Sequence, residues 1–138
     1  TARIKSSMSK VLIVLAPGPK DDPKNVYQTL VIDNRQSGFP NGSYKLVNMT
    51  PHPIRGAIGN DTRFECKSGA TAGFKTKGDP GEVMPVLFQY NDGKRWRTLT
   101  ETRWSHNKDE RSLLCAYQDK RTKRMKLRSI PDNTRPLD

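Results

Sequence analysis

VMPVLFQYNDGKRWRTLTET, residues 83–102, decides the fold class. An apolar run with period-two character leads into Asn91-Asp92-Gly93, and a second run leaves it. A type I turn followed by a left-handed Gly closes a three-residue hairpin loop. That register predicts Tyr90 opposite Lys94, Phe88 opposite Trp96 and Val86 opposite Thr98. Met84, Val86, Phe88 and Trp96 then share a core face, and Arg95, Arg97 and Glu101 share the other. Trp104 has the parity of Trp96 and is expected inward as well. Pro85 cannot donate to a strand ladder, so the hairpin is expected at a sheet edge or beside a bulge.

The same rhythm extends in both directions. Upstream, Lys10–Ala16 ends at Pro17-Gly18-Pro19, Lys20–Asn25 is a polar turn, and Val26–Asp33 stops at the loop Asn34–Asn41. Ser43–Met49 ends at Thr50-Pro51-His52-Pro53, Ile54–Ile58 and Thr62–Lys67 flank Gly59-Asn60-Asp61, and Thr71–Thr76 adds a short edge strand. Downstream, Arg111–Gln118 and Arg124–Ile130 form a second hairpin, in which Met125 and Leu127 alternate with Arg124, Lys126 and Arg128. Its turn, Asp119–Lys123, lacks Gly, so a four- or five-residue loop is expected. No window sustains helical periodicity; Asn107–Glu110 forms at most one helical turn. Ten Pro and ten Gly in 138 residues favour short strands over long helices. The expected fold is all-β: one antiparallel β-sandwich, immunoglobulin-like or related, of about eight to ten short strands. It spans 10–131, after a flexible N-terminal segment, 1–9, and before a polar C-terminal tail, 132–138. The immunoglobulin hallmarks are missing, since both Trp residues come too late after Cys66 and Leu113 stands where a corner Tyr would.

The longest apolar run, Val11–Ala16, is far too short for the roughly 18 residues of a spanning helix. Arg3, Lys5 and Lys10 precede it, which faintly imitates a secretion signal. The run is shorter than the ~7–15 apolar residues such a signal uses, so a buried strand is the better reading and no leader is visible.

The net charge is +11, and such a balance attracts polyanions. From Lys94 onward there are 13 Lys/Arg and 6 Asp/Glu, or +7, against +4 for everything before it. Two hairpins carry the excess: Arg95, Arg97 and Arg103 on one; Arg111, Lys120, Arg121, Lys123, Arg124, Lys126 and Arg128 on the other. If these hairpins are neighbours in one sheet, their outward faces merge into a surface that could follow a phosphate backbone or an anionic glycan. The opposing reading is a solvated face whose Lys and Arg stems cover apolar surface.

Cys66 and Cys115 fall in different strands, and in a secreted sandwich their spacing fits an inter-sheet disulfide. The alternative is two buried free thiols. No metal site is expected, because no Cys or His pair has ligand spacing. His52 and His106 sit in turns or at a strand end. The Gly-rich stretch 65–82 lacks a phosphate-loop signature and reads as turns. Asp21-Asp22 and Asp109-Glu110 read as solvated turn acids. The triplets at Asn41, Asn48 and Asn60 would matter as glycosylation acceptors only after secretion from a eukaryotic cell.

The leading expectation is therefore a non-enzymatic binding or structural module without cofactor, secreted or periplasmic in the cell envelope. Its partner would be an anionic macromolecule or another protein. The second is polyanion binding, to nucleic acid or anionic glycan, through Arg95, Arg97, Arg103, Lys120, Arg121, Lys123, Arg124, Lys126 and Arg128. The third is a carbohydrate-active or hydrolytic enzyme on a β-scaffold.

Overall fold

A computed structural model describes residues 2–17, 24, 27–35 and 37–132. The chain is all-β, 57% strand with no helix among the described residues, and its sheets pack in two layers as a β-sandwich. The strands are β1 (Val11–Pro17), β2 (Tyr27–Asp33), β3 (Ser43–Asn48), β4 (Ile54–Ile58), β5 (Thr62–Cys66), β6 (Thr71–Lys75), β7 (Val83–Asn91), β8 (Trp96–Ser105), β9 (Arg111–Gln118) and β10 (Met125–Asp132). One sheet has the order β10-β9-β3-β6 and the other β5-β4-β7-β8. Pairings are antiparallel except that β3 and β9 run parallel. β1 and β2 form a separate two-stranded ribbon.

Alternation assigns each strand face. Leu46 on β3 and Leu114 and Ala116 on β9 point toward the other sheet and meet Ile54, Ile58, Met84, Val86 and Phe88. Their neighbours Val47, Leu113 and Cys115 point the other way, yet they are buried too. Ile32, Leu12, Val14 and Leu30 of the ribbon cover them, together with Phe39. β9 is thus apolar on both faces, as RSLLCAYQ suggests, because the ribbon forms a lid over its outer side.

Five aromatic rings form a closed circuit across the inter-sheet core. Phe64 stacks on Phe74 (4.3 Å), Phe74 on Tyr44 (5.3 Å) and Tyr44 on Trp104 (5.0 Å). Phe88 closes the circuit, at 5.7 Å from Trp104 and 5.5 Å from Phe64. The path crosses from β5 to β6 and β3, then back to β8 and β7, so it ties the two sheets at both flanks. Gly56 makes room for it: a Cβ there would sit 2.3 Å from Phe64 Cε1 and 3.1 Å from Phe88 Cε1.

The hairpin that announced the fold has a different register from the expected one. Trp96 pairs with Asn91, Arg97 with Tyr90 and Thr98 with Gln89, so the loop is Asp92–Arg95. Between Phe88 and Gln89 the register shifts, and Thr100 comes to face Phe88. Leu99 is the extra residue of a β-bulge, and a bulge reverses the facing of everything beyond it. Trp104 therefore points inward while Trp96, of the same parity, lies outside the core with the Arg55 guanidinium 4.2 Å from its ring. Met84, Val86 and Phe88 are core residues as expected.

Other features are local. Asn107–Glu110 forms a turn without helix, within the expected limit of one helical turn, with Asp109 N donating to Asn107 Oδ1 (3.0 Å). β10 continues through Pro131 to Asp132, which an edge strand tolerates. Asp132 thereby comes opposite Arg111 instead of opening a tail, and residues 133–138 lie outside the described residues, as do Asp21-Asp22 and the Lys20–Asn25 turn apart from Lys24. Of the two alternatives for Cys66 and Cys115, the bridge does not form. Both thiols are free and buried, and burial raises the pKa of each. Cys66 faces the inter-sheet core and Cys115 the ribbon, so the backbone of β9 stands between them.

Replacing Gly56 by Ala should lower stability by about 1–3 kcal/mol, the typical cost of overpacking, because Phe64 must leave its stack. Chemical denaturation followed by fluorescence checks this; an unchanged midpoint would refute the tight Gly56–Phe64 approach.

Candidate polyanion interface

The two basic hairpins belong to different sheets, so their outward faces point in opposite directions and do not merge as one sheet surface. They converge differently. β8 and β10 are edge strands on the same flank of the sandwich and touch one another. Their preceding loops also project from the same end. Asn48, at the end of β3, lies beside Ala116 of β9, and its Nδ2 donates to Cys66 O (3.1 Å) and His52 O (2.8 Å). Asn91 N in turn donates to Pro53 O (3.0 Å). This trail of bonds runs across one end of the molecule, from the β9–β10 side to the β7–β8 loop.

That end collects Lys94, Arg95 and Arg97 from the β7–β8 loop and the start of β8, and Lys120, Arg121, Lys123, Arg124 and Lys126 from the β9–β10 loop and the start of β10. Each loop is organised by one aspartate. Asp92 Oδ1 accepts from Lys94 N and Arg95 N, both at 2.9 Å, and its Oδ2 pairs with Arg97. Asp119 Oδ1 accepts from Arg121 N (2.9 Å) and Thr122 N (3.0 Å), and its Oδ2 holds Lys126 Nζ at 3.1 Å. These bonds favour the charged carboxylate, so both acids sit well below the usual carboxylate range: Asp92 chiefly through the Arg97 side chain, Asp119 chiefly through the Thr122 amide. The β9–β10 loop is further closed by Asp119 N donating to Arg124 O (2.8 Å), with Lys123 left-handed at φ 61°. Four residues, Lys120–Lys123, lie inside that closure, matching the loop length expected from the sequence.

The acids at this end are thus committed to turn capping and to two of the cations. Arg95, Lys120, Arg121, Lys123 and Arg124 form no ion pair among the described residues. All five are exposed except Lys120, which is half-buried. The hydrogen-bonded backbone of both loops presents these charges without neutralising them.

Two of the nine expected cations lie elsewhere. Arg103 is opposite Pro85, near the other end and on the outer face of the β5-β4-β7-β8 sheet. Arg128 is opposite Cys115, on the ribbon side of its own sheet. Arg111, counted with the basic strand in the sequence, is a structural residue. It is 4% exposed; Nε donates to Asp132 Oδ2 (2.8 Å), Nη1 to Phe39 O (2.7 Å) and Nη2 to Asn34 Oδ1 (3.0 Å). Its guanidinium also lies 4.6 Å from the Phe39 ring centre. Lys94 joins this end as well, beside Arg95, although it is not among the nine expected cations. The signal was there in Asn91-Asp92-Gly93, whose Asx chemistry turns the following backbone and side chains toward one end.

His106 is buried and shares a hydrogen bond with Thr76 Oγ1 at 2.9 Å. His52 lies 5.7 Å from the Tyr90 ring. Asn48 is fully buried, and its Oδ1 accepts from Thr50 N and Oγ1, which leaves no access for a glycan. The Gly-rich stretch comprises the end of β5, β6 and their turns. Among the described residues, no group of three or more His, Cys, Asp or Glu is arranged to hold a metal ion. No helix among them is long and apolar enough to cross a membrane. No protein-family model and no curated protein matches the chain.

Because Asp92 and Asp119 have depressed pKa values, their capping contribution is fully present above the ordinary value of 3.8 and is lost only as pH falls through the lower folded values. Carboxyl NMR titration should give both midpoints below 3.8. Asp119→Asn should keep the turn but bring no such midpoint at that position. A midpoint at or above the ordinary value would contradict the capped loops.

Proposed function

We propose that this protein is a non-enzymatic β-sandwich binding module that engages a polyanion through the end built by the β7–β8 and β9–β10 loops. The observation that carries the reading is the set Arg95, Lys120, Arg121, Lys123 and Arg124: cations without acid partners among the described residues, on two capped loops at one end. A rigid loop presents its charges without the ordering cost that a disordered basic arm incurs on binding. The neighbouring pairs Arg97–Asp92 and Lys126–Asp119 orient the loops and contribute little to the free positive field.

Such a site recognises a repeated anionic backbone by charge and spacing. Half-buried Trp96 already carries the Arg55 guanidinium on its ring, Tyr90 packs against the core, and Tyr117 lines the cavity beside the ribbon. Base stacking is therefore not the main contact, and the reading applies equally to phosphate and sulfate polymers. A secreted or envelope location fits an anionic glycan as ligand, but it draws no support from the free cysteines.

Replacing Lys120, Arg121, Lys123 and Arg124 together by Gln should weaken binding to heparin and to duplex DNA. The salt slope for DNA should fall by up to about 0.9 for each phosphate no longer neutralised. Arg103→Gln, on the other face near the opposite end, should leave both affinities within about twofold, roughly 0.4 kcal/mol. Salt-dependent fluorescence titration checks both, and comparison of the two polymers ranks glycan against nucleic acid. Equal losses from the two variants, or no binding by the native protein at low salt, would refute the assignment.

A further inference from the structure

A second binding region lies away from the basic end, where the ribbon meets the β9–β10 hairpin. A cavity of about 270 Å³ opens there, walled by Val14, Leu15, Met49, Cys115 and Ile130, with Arg128 among its lining residues. Leu15 is 63% and Ile130 45% exposed, large values for apolar side chains of this size. Both line the cavity, so an apolar occupant would cover surface that is otherwise wet. Arg128 forms no ion pair among the described residues, unlike Lys126 two positions earlier. It lies opposite Cys115 in the strand register, which puts its charge beside an apolar chamber and not on the polyanion end.

We propose that this cavity binds a small amphiphilic monoanion, an alkyl or aryl carboxylate, with its apolar body against Val14, Leu15, Met49 and Ile130 and its carboxylate on Arg128. The volume supports the size class. A cavity of ~150 Å³ already holds benzene, so this one has room for a chain of roughly eight carbons or a substituted ring. The charge supports the headgroup, since a guanidinium engages a carboxylate through two parallel N–H bonds, while a hydroxyl accepts a single weaker one and an ammonium is repelled. The polyanion end takes no part in this binding.

Calorimetric titration of the full chain with octanoate, 1-octanol and octylamine tests it. Octanoate is expected to bind about tenfold more tightly than either analogue, and Arg128→Gln to remove that preference while leaving the thermal midpoint unchanged. Arg128→Lys should restore part of it. Leu15→Asp should abolish octanoate binding through the lost apolar wall. Equal affinity for the three probes, or retention of the preference in Arg128→Gln, would overturn the proposal without recourse to any variant that fails to fold. Binding to phosphatidylglycerol vesicles without binding to free octanoate would also overturn it, by making the apolar rim a membrane contact.

Discussion

Strands β3 and β9 are buried on both faces, and this constraint organises the molecule. A parallel pair with apolar side chains above and below cannot remain wet on one side without exposing Val47, Leu113 and Cys115. The β1–β2 ribbon answers that demand, laying Leu12, Val14, Leu30 and Ile32 over them. Arg111 fastens the same region from below Phe39. Its donors meet Asn34 and Phe39 carbonyl oxygens that would otherwise lie unpaired near the core, and Asp132 balances its charge. The ribbon, the β2–β3 connection and the end of β10 are thus coupled through β9.

On the other side of β9 the aromatic circuit performs the matching task between the sheets. Offset and tilted rings interlock over a wide area, and Gly56 supplies the one gap into which Phe64 can settle. The bulge at Leu99 follows from the same packing. Trp104 is needed inward against Tyr44, whereas Trp96 is held outside by Arg55, and only an odd residue between them permits both. This packing leaves at the surface two capped loops whose cations Arg95, Lys120, Arg121, Lys123 and Arg124 form no ion pair among the described residues, and a seam beside the ribbon.

Much of this was legible in the chain. Period-two alternation and turn residues located the strands, since a half-buried strand must alternate wherever one face is solvated. The basic bias of the last third was equally plain. The register of the β7–β8 hairpin was not, because Asn-Asp-Gly permits more than one loop length and the bulge responds to side chains from other strands. Arg111 illustrates a second limit. Its charge suggested an exposed face, and only Asn34, Phe39 and Asp132, distant in sequence, make its burial tolerable.

By itself the sequence determined the all-β class, the approximate strand positions, the two C-terminal hairpins and the sign of their charge. These depend on neighbours within a few residues, where backbone sterics and alternation act directly. Tertiary structure decided which strands share a sheet, and so parted the two hairpins that the charge pattern alone would have joined. It also decided that Cys66 and Cys115 face opposite sides of β9, and that the cations gather at an end instead of across a face. Those outcomes depend on non-local pairing, chosen by how the apolar faces of the strands bury one another at once.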